Sequence, residues 1–244
     1  IYFRNNNMSF LILIRHGQSI WNLENKFTGW VDVDLTDQGK LEAEKAGSLI
    51  KSQNIKIDRW YSSLQLRANH TMEIIKKILN DNNKFIKAWQ LNERHYGALT
   101  GLNKIEMAKK IGKDKVYEFR RSWDMRPDPL SKDSLYHPQN IEIYKKIPKE
   151  VIPDTESLKD TYERVLKYFK SEVQNILLKE NILIAAHGNS IRALCKYLFQ
   201  LDNEQISKLE IPTGNPLIIQ FDEKLKIKNS QYLDEERAKS LLVF

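Results

Sequence analysis

The chain has 244 residues, 41% of them hydrophobic and 29% charged, with a formal net charge of +7. That length suits one domain with a sizeable core, and the composition excludes fibrous, low-complexity and disordered classes. The lone Cys195 excludes an intramolecular disulfide, no apolar segment has membrane-spanning length, and a reducing cytoplasmic setting is expected. The positive surplus does not read as a nucleic-acid surface. Lysines alternate with glutamates along helical faces, as in Lys40-Leu41-Glu42-Ala43-Glu44-Lys45, and neither zinc-finger spacing nor an RNA-recognition signature occurs. A small anionic substrate would account for part of it.

Residues 1–7, which end in Asn5-Asn6-Asn7, read as a leader outside the fold, and 8–244 as a single domain. Residues 10–14 are apolar on both faces, the pattern of a buried parallel strand, and run into Arg15-His16-Gly17. Leu35-Thr36-Asp37-Gln38 opens a helix to about residue 53; a second strand spans 58–63, a helix 66–79 and a third strand 85–89. Irregular chain then carries Asn92-Glu93-Arg94-His95-Tyr96-Gly97. Residues 103–122 read as polar helix, and the proline-rich stretch 125–153 as an excursion over the crevice. Ser157 starts a long helix with Leu158, Tyr162, Val165, Phe169 and Val173 at helical spacing. It leads into a second apolar run, 182–186, and a second His-Gly pair, His187-Gly188. The alternation predicts an α/β three-layer sandwich with a mostly parallel central sheet flanked by helices.

In open α/β sheets the ligand crevice lies at the carboxyl ends of the strands, so both His-Gly pairs are expected in one cleft. Arg15 adds a planar cationic fork suited to phosphate or carboxylate oxygens. As a nucleophile, His16 needs one ring nitrogen free and the other held as a donor, a role for a strand-end carbonyl. Gly17 would permit the turn and a close phosphate approach. The plain alternative is a satisfied, half-buried histidine. Arg67 enters a helix N-terminus, which disfavours a cation unless an anion sits there too; otherwise it is a surface residue. Glu93 is either an ion-pair partner of Arg94 or a general acid and base in an anion pocket. Two histidines and Glu93 could form a metal site, but the arginines would repel a dication and no His-x-His or His-Glu-x-x-His spacing occurs, so no metal is expected.

Leu13-Ile14-Arg15-His16-Gly17-Gln18-Ser19 with Trp21-Asn22, Phe27-Thr28-Gly29-Trp30, the 92–97 run, Gly101-Leu102-Asn103-Lys104, Arg120-Arg121, Ala186-His187-Gly188-Asn189-Ser190 and Ile211-Pro212-Thr213-Gly214 extend the pattern from about Ser9 to Leu233. In that combination the chain resembles the histidine phosphatase superfamily and, more closely, its cofactor-dependent phosphoglycerate mutases. The resemblance implies a phosphohistidine enzyme of glycolysis and gluconeogenesis, primed by 2,3-bisphosphoglycerate, that interconverts 3- and 2-phosphoglycerate as a homodimer or homotetramer. It implies His16 as phosphoryl carrier, with Arg15, Arg67 and His187 clamping the transferring group and Asn22, Thr28, Gly29, Gly188 and Asn189 donating around it. Glu93 would shuttle the hydroxyl proton, while Arg94, Tyr96, Lys104, Arg120 and Arg121 hold the carboxylate and second phosphate. Two departures, Gln18 for a usual glutamate and Gln65 for a usual leucine, are expected to touch no catalytic position. The family's tail covers the site, and this one is brief after Tyr232, which implies weaker exclusion of water. Two rival readings stay open: a broad-specificity histidine phosphatase, which would not require Lys104, Arg120 and Arg121, and a non-catalytic binding protein, which would have lost the nucleophile or its arginines.

Overall fold

The run ahead of His16 forms β1 (Met8–Arg15), buried along most of its length inside a six-stranded sheet. In the computed structural model, which describes residues 8–239, α1 (Ile20–Leu23), α2 (Asp37–Ser52), β2 (Arg59–Ser62), α3 (Leu66–Ile78) and β3 (Ile86–Lys87) follow. Next come α4 (Lys104–Ile111), α5 (Lys113–Arg121), α6 (Leu158–Tyr168), α7 (Gln174–Leu177), β4 (Ile182–Ala186), α8 (Gly188–Leu198), α9 (Asn203–Lys208), β5 (Leu217–Asp222) and β6 (Ile227–Tyr232). The expected leader, 1–7, and the end of the tail, 240–244, lie outside the described residues.

The strand order is β3-β2-β4-β1-β5-β6. The first four strands are mutually parallel, while β5 and β6 close the other side in antiparallel fashion. Alternation along β1 supplies two cores. Leu11 and Leu13 pack with Val165 of α6, Leu177 of α7 and Leu194 of α8; Ile12 and Ile14 pack with Ile50 of α2 and Met72 of α3. The three-layer sandwich follows from that alternation.

Register places the site. Leu11 pairs with Ile182 and Arg15 with Ala186, so β1 and β4 end level with each other. The amide of His16 donates to the Ala186 carbonyl at 3.0 Å, which seats the two His-Gly pairs side by side.

Several elements differ from the expectations. The third strand shrinks to two residues because Trp89–Leu91 turns into a 3₁₀ helix. The 103–122 helix breaks at Gly112, whose φ of 92° lies in the left-handed region, and so becomes α4 and α5. The long helix from Leu158 widens into a π turn at Phe169–Val173 before α7. The excursion at 125–153 is pinned by Tyr144, whose hydroxyl donates to Trp30 O at 2.6 Å.

Gly17 is required by packing. A Cβ there would lie 2.1 Å from Gly39 O, and one on Gly39 would lie 2.1 Å from Gln18 O, so the turn after β1 meets the first turn of α2 backbone to backbone. Its φ is not positive, so conformational freedom is not what the position uses. Gly39→Ala is expected to lower stability by about 1–3 kcal/mol or more, the range for overpacking a tight contact, read as a lower urea midpoint with an unchanged slope.

Candidate active site

His16 leaves β1 only 2% exposed. Its Nδ1 lies 2.7 Å from Gly17 O, and a carbonyl can only accept, so Nδ1 carries the proton. Nε2 is left with its lone pair and accepts from Arg67 Nε at 3.3 Å. Burial, then Arg67 and Arg15, hold this imidazole well below its ordinary pKa, so it is neutral at physiological pH. Arg67 is fixed by donation to Val31 O and Gly29 O, both at 3.0 Å. Arg15 donates to Ile211 O at 2.8 Å, and its buried Nε has no partner in the protein. Burial lowers the pKa of both guanidiniums, but arginine keeps its proton near neutrality. His187 precedes α8 with its ring centroid 5.0 Å from that of His16. Its Nε2 shares a 2.8 Å hydrogen bond with the Ser63 hydroxyl, while Nδ1 is buried and unpartnered. Burial foremost, with Arg67 next, lowers its pKa as well.

Glu93 sits against the first turn of α8. One carboxylate oxygen, Oε1, accepts from Arg94 N at 2.8 Å and Asn189 N at 3.2 Å, and Oε2 takes no protein donor. Gln65, fully buried, receives Glu93 N at 2.9 Å and donates to Gly29 O at 3.0 Å. The expectation that Gln65 touches no catalytic position is therefore corrected: its amide is long enough to join the Glu93 loop to the loop that holds Arg67.

Arg15, His16, Arg67 and Glu93 line a small cavity of about 70 Å³ together with Asn22, Lys26, Thr28, Gly29, Tyr96, Lys104, Arg120, Arg121, Gly188, Asn189 and Arg192. Seven of its lining side chains are basic and only Glu93 is acidic. A wider cavity of about 840 Å³ outside it shares Arg15, Asn22, Lys104 and Arg120, and adds Lys109 and Lys113. Lys104 donates to Lys26 O at 2.7 Å; burial, then the charges of Arg120 and Arg15, bring its pKa down to about 8. Tyr96 accepts from Asn189 Nδ2 at 3.0 Å, Asn22 Oδ1 receives Ser19 N at 3.1 Å, and Arg121 pairs with Glu210.

Of the residues singled out from sequence, Arg94 and His187 do not line the cavity; the His187 ring lies tilted by 60° to that of His16, with centroids 5.0 Å apart. Arg94 does not pair its guanidinium with Glu93: its Nε and Nη2 go to Glu156 O (2.8 Å) and Met125 O (2.9 Å), and its buried Nη1 has no partner. Lys26 and Arg192 were missed. Arg192 donates to Asn189 Oδ1 at 2.7 Å and Leu209 O at 2.9 Å, and burial brings its pKa down to about 9. Its signal was a lone cation in the apolar stretch Ile191-Arg192-Ala193-Leu194.

Residues 11–136 and 133–230 match the model of the histidine phosphatase superfamily (branch 1). A 2,3-bisphosphoglycerate-dependent phosphoglycerate mutase of Pelagibacter ubique is 66% identical over 97% of this chain and 100% of its own length. The chain belongs to the histidine phosphatase superfamily, among its 2,3-bisphosphoglycerate-dependent phosphoglycerate mutases. A mutase of the same name from Borreliella afzelii is 49% identical over 93% of this chain and 92% of its own. Solved structures share the fold at low identity. A mycobacterial glucosyl-3-phosphoglycerate phosphatase superposes with a TM-score of 0.64 at 19% identity, covering 86% of this chain and 92% of that one. Bacillus stearothermophilus YhfR gives 0.65 at 21%, covering 90% and 94%.

Three buried imidazoles, His16, His187 and His95, the last lowered to about 3 chiefly by burial, stay neutral in the folded protein. In the unfolded chain they gain protons below about pH 6.5, so unfolding takes up protons there and stability falls as pH drops from 7 to 5. Urea unfolding at several pH values should show it, and His95→Gln should reduce the slope by about 1.4 kcal/mol per pH unit, one proton's worth.

Proposed function

We propose that this protein interconverts 3-phosphoglycerate and 2-phosphoglycerate through a phosphorylated His16. The observation that carries the reading is a neutral Nε2, held by Arg67, facing a cavity with seven basic side chains and a single carboxylate. That charge suits a molecule with two phosphates and a carboxylate, and the unpartnered Nε of buried Arg15 offers a donor. When bound, 2,3-bisphosphoglycerate supplies the phosphoryl group that primes His16.

His16 Nε2 attacks phosphorus with its lone pair as the P–O bond to the donor breaks and its leaving oxygen takes a proton from Glu93, while Nδ1–H stays on Gly17 O, which disperses the positive charge that develops on the ring. Arg15 and Arg67, whose other donors are tied to backbone carbonyls, balance the equatorial oxygens without reorganising. The donors of Asn22, Thr28, Gly29, Gly188 and Asn189 complete that ring, and the unpartnered Nδ1 of His187, whose ring centroid is 5.0 Å from that of His16, is the neighbouring group left to join it. In the return step the hydroxyl of the bound monophosphoglycerate gives its proton to Glu93 Oε2, its oxygen forms the new P–O bond, and the N–P bond to His16 breaks. Lys104, Tyr96, Arg120 and Arg121, at the mouth, hold the groups that do not react. Arginines and lysines supply the charge a metal would otherwise bring and repel a dication, so the proposed reaction is metal-independent. Among the described residues no group of three or more His, Cys, Asp or Glu could hold a metal ion, and no helix is long and apolar enough to cross a membrane. Cys195 is a buried free thiol whose pKa burial pushes up to about 12, which suits the proposed cytoplasmic setting.

Conversion of 3-phosphoglycerate should require catalytic 2,3-bisphosphoglycerate, survive EDTA and disappear in His16→Ala. Peptide mapping should place an acid-labile phosphoryl group on His16; a label on His187, or turnover restored only by a divalent metal, would overturn the assignment.

The phosphatase alternative makes a different prediction at the mouth. Each charged hydrogen bond contributes roughly 1.5–3 kcal/mol, so Arg120→Ala/Arg121→Ala should lower phosphoglycerate turnover by several powers of ten. Hydrolysis of p-nitrophenyl phosphate, which has no second anion, should fall far less. Equal losses on both substrates, with the circular dichroism intact, would make the pair structural.

A further inference from the structure

The loop that carries Glu93 is gripped from behind by a buried ion pair that the reaction itself does not use. From α6, Arg164 Nη1 donates to Gln90 O at 2.8 Å and Asn92 O at 3.2 Å, and Nη2 to Glu93 O at 3.3 Å. Its Nε and Nη2 also meet the two carboxylate oxygens of Glu156, each at 2.8 Å. Glu156 Oε2 accepts in turn from His95 N at 2.8 Å, and the Glu156 carbonyl receives Arg94 Nε. One guanidinium and one carboxylate, 8% and 4% exposed, thus tether the backbone on both sides of Glu93. Arg164 also lies 5.5 Å from the ring of Trp30, next to the Gly29 carbonyl that anchors Arg67.

Stability alone does not explain this pair. Taking two charges out of water costs much of what their attraction returns, and apolar side chains of similar volume often do as well. What a planar fork adds is direction: it meets several carbonyls and a carboxylate at once in a fixed plane, which a lysine cannot do. Proton transfer depends on that directional placement, because the acceptor oxygen must sit within hydrogen-bond reach of the reacting hydroxyl.

We propose that Arg164, clamped by Glu156, is a positioning residue for proton transfer at Glu93, and that phosphoryl transfer to His16 from a donor whose leaving group needs no proton does not depend on it. This inference rests on the mutase reading above.

Two reactions of Arg164→Lys separate the roles. Steady-state conversion of 3-phosphoglycerate needs Glu93, whereas the burst of p-nitrophenolate released as His16 is phosphorylated does not, since that phenolate leaves without a proton. The variant should lose about 10–100-fold in kcat for the mutase reaction, the scale of a small misplacement of a catalytic group. Its KM should stay within about twofold of the unmodified protein's, because ground-state contacts are untouched. The burst rate should be near normal. Glu156→Gln, which keeps an acceptor for His95 N but weakens the pair, should show the same split and provides the answer if Arg164→Lys fails to fold. Parallel losses in both reactions, or unchanged mutase turnover, would overturn the inference while leaving the mutase reading in place. An unmodified protein without mutase turnover would overturn the reading itself.

Discussion

A neutral imidazole buried beside two guanidiniums is the constraint on which the rest of the structure depends. The proposed chemistry needs the His16 lone pair on Nε2, and both desolvation and the charges of Arg67 and Arg15 disfavour the imidazolium. The same arginines that keep it unprotonated are placed to attract the oxygens around the phosphorus that the proposed reaction has it attack. One electrostatic arrangement therefore prepares the nucleophile and the anion site together, and it requires that the arginines be held close to each other against their own repulsion.

Backbone carbonyls do the holding. Arg67 is tied to Val31 and Gly29, Arg15 to Ile211, Arg192 to Leu209 and Lys104 to Lys26. Each bond satisfies part of a cation and leaves other donors for a ligand, so charge is fixed in place before any substrate arrives. Because those carbonyls lie in connecting segments rather than in strands, the loops are as constrained as the core. Tyr144 on Trp30, Gln65 between Gly29 and Glu93, and Arg164 across residues 90–93 are the cross-links that keep them so.

Much of this was legible in the sequence where local pattern carries the information. Two apolar runs ending in His-Gly gave β1 and β4, and Thr36 and Ser157 marked helix starts that the structure places at Asp37 and Leu158. Strands β5 and β6 went unread. In β6, Ile227-Lys228-Asn229-Ser230-Gln231-Tyr232 lies at the sheet's edge, mostly exposed, so burial imposes little apolar alternation on it. Within the site, most of the side chains that line the cavity were legible, and those that brace it through backbone contacts were not. Nothing local to Gln65 tells that its amide joins two loops 28 and 36 residues away. Nor does the sequence tell that the carbonyls of Met125 and Glu156 take Nη2 and Nε of Arg94 and leave only its buried Nη1 without a partner.

A site with seven basic side chains and one carboxylate stores repulsion whenever no anion is bound, and the fold must supply the stability that opposes it. Here that stability comes from the sheet beneath: β1 and β4 are buried on both faces between two helical layers, and their ends cannot separate without breaking both cores. An anion relieves the repulsion, so binding energy need not be spent ordering the pocket and remains available to differ between ground and transition states. The repulsion also bears on specificity. A ligand with one phosphate leaves Lys104, Arg120 and Arg121 uncompensated, whereas one with a second anion neutralises both ends of the cavity at once. Preference for a doubly anionic substrate thus follows from charge balance across the whole pocket, with Glu93 the one acid that lines it, where the proposed reaction moves a proton.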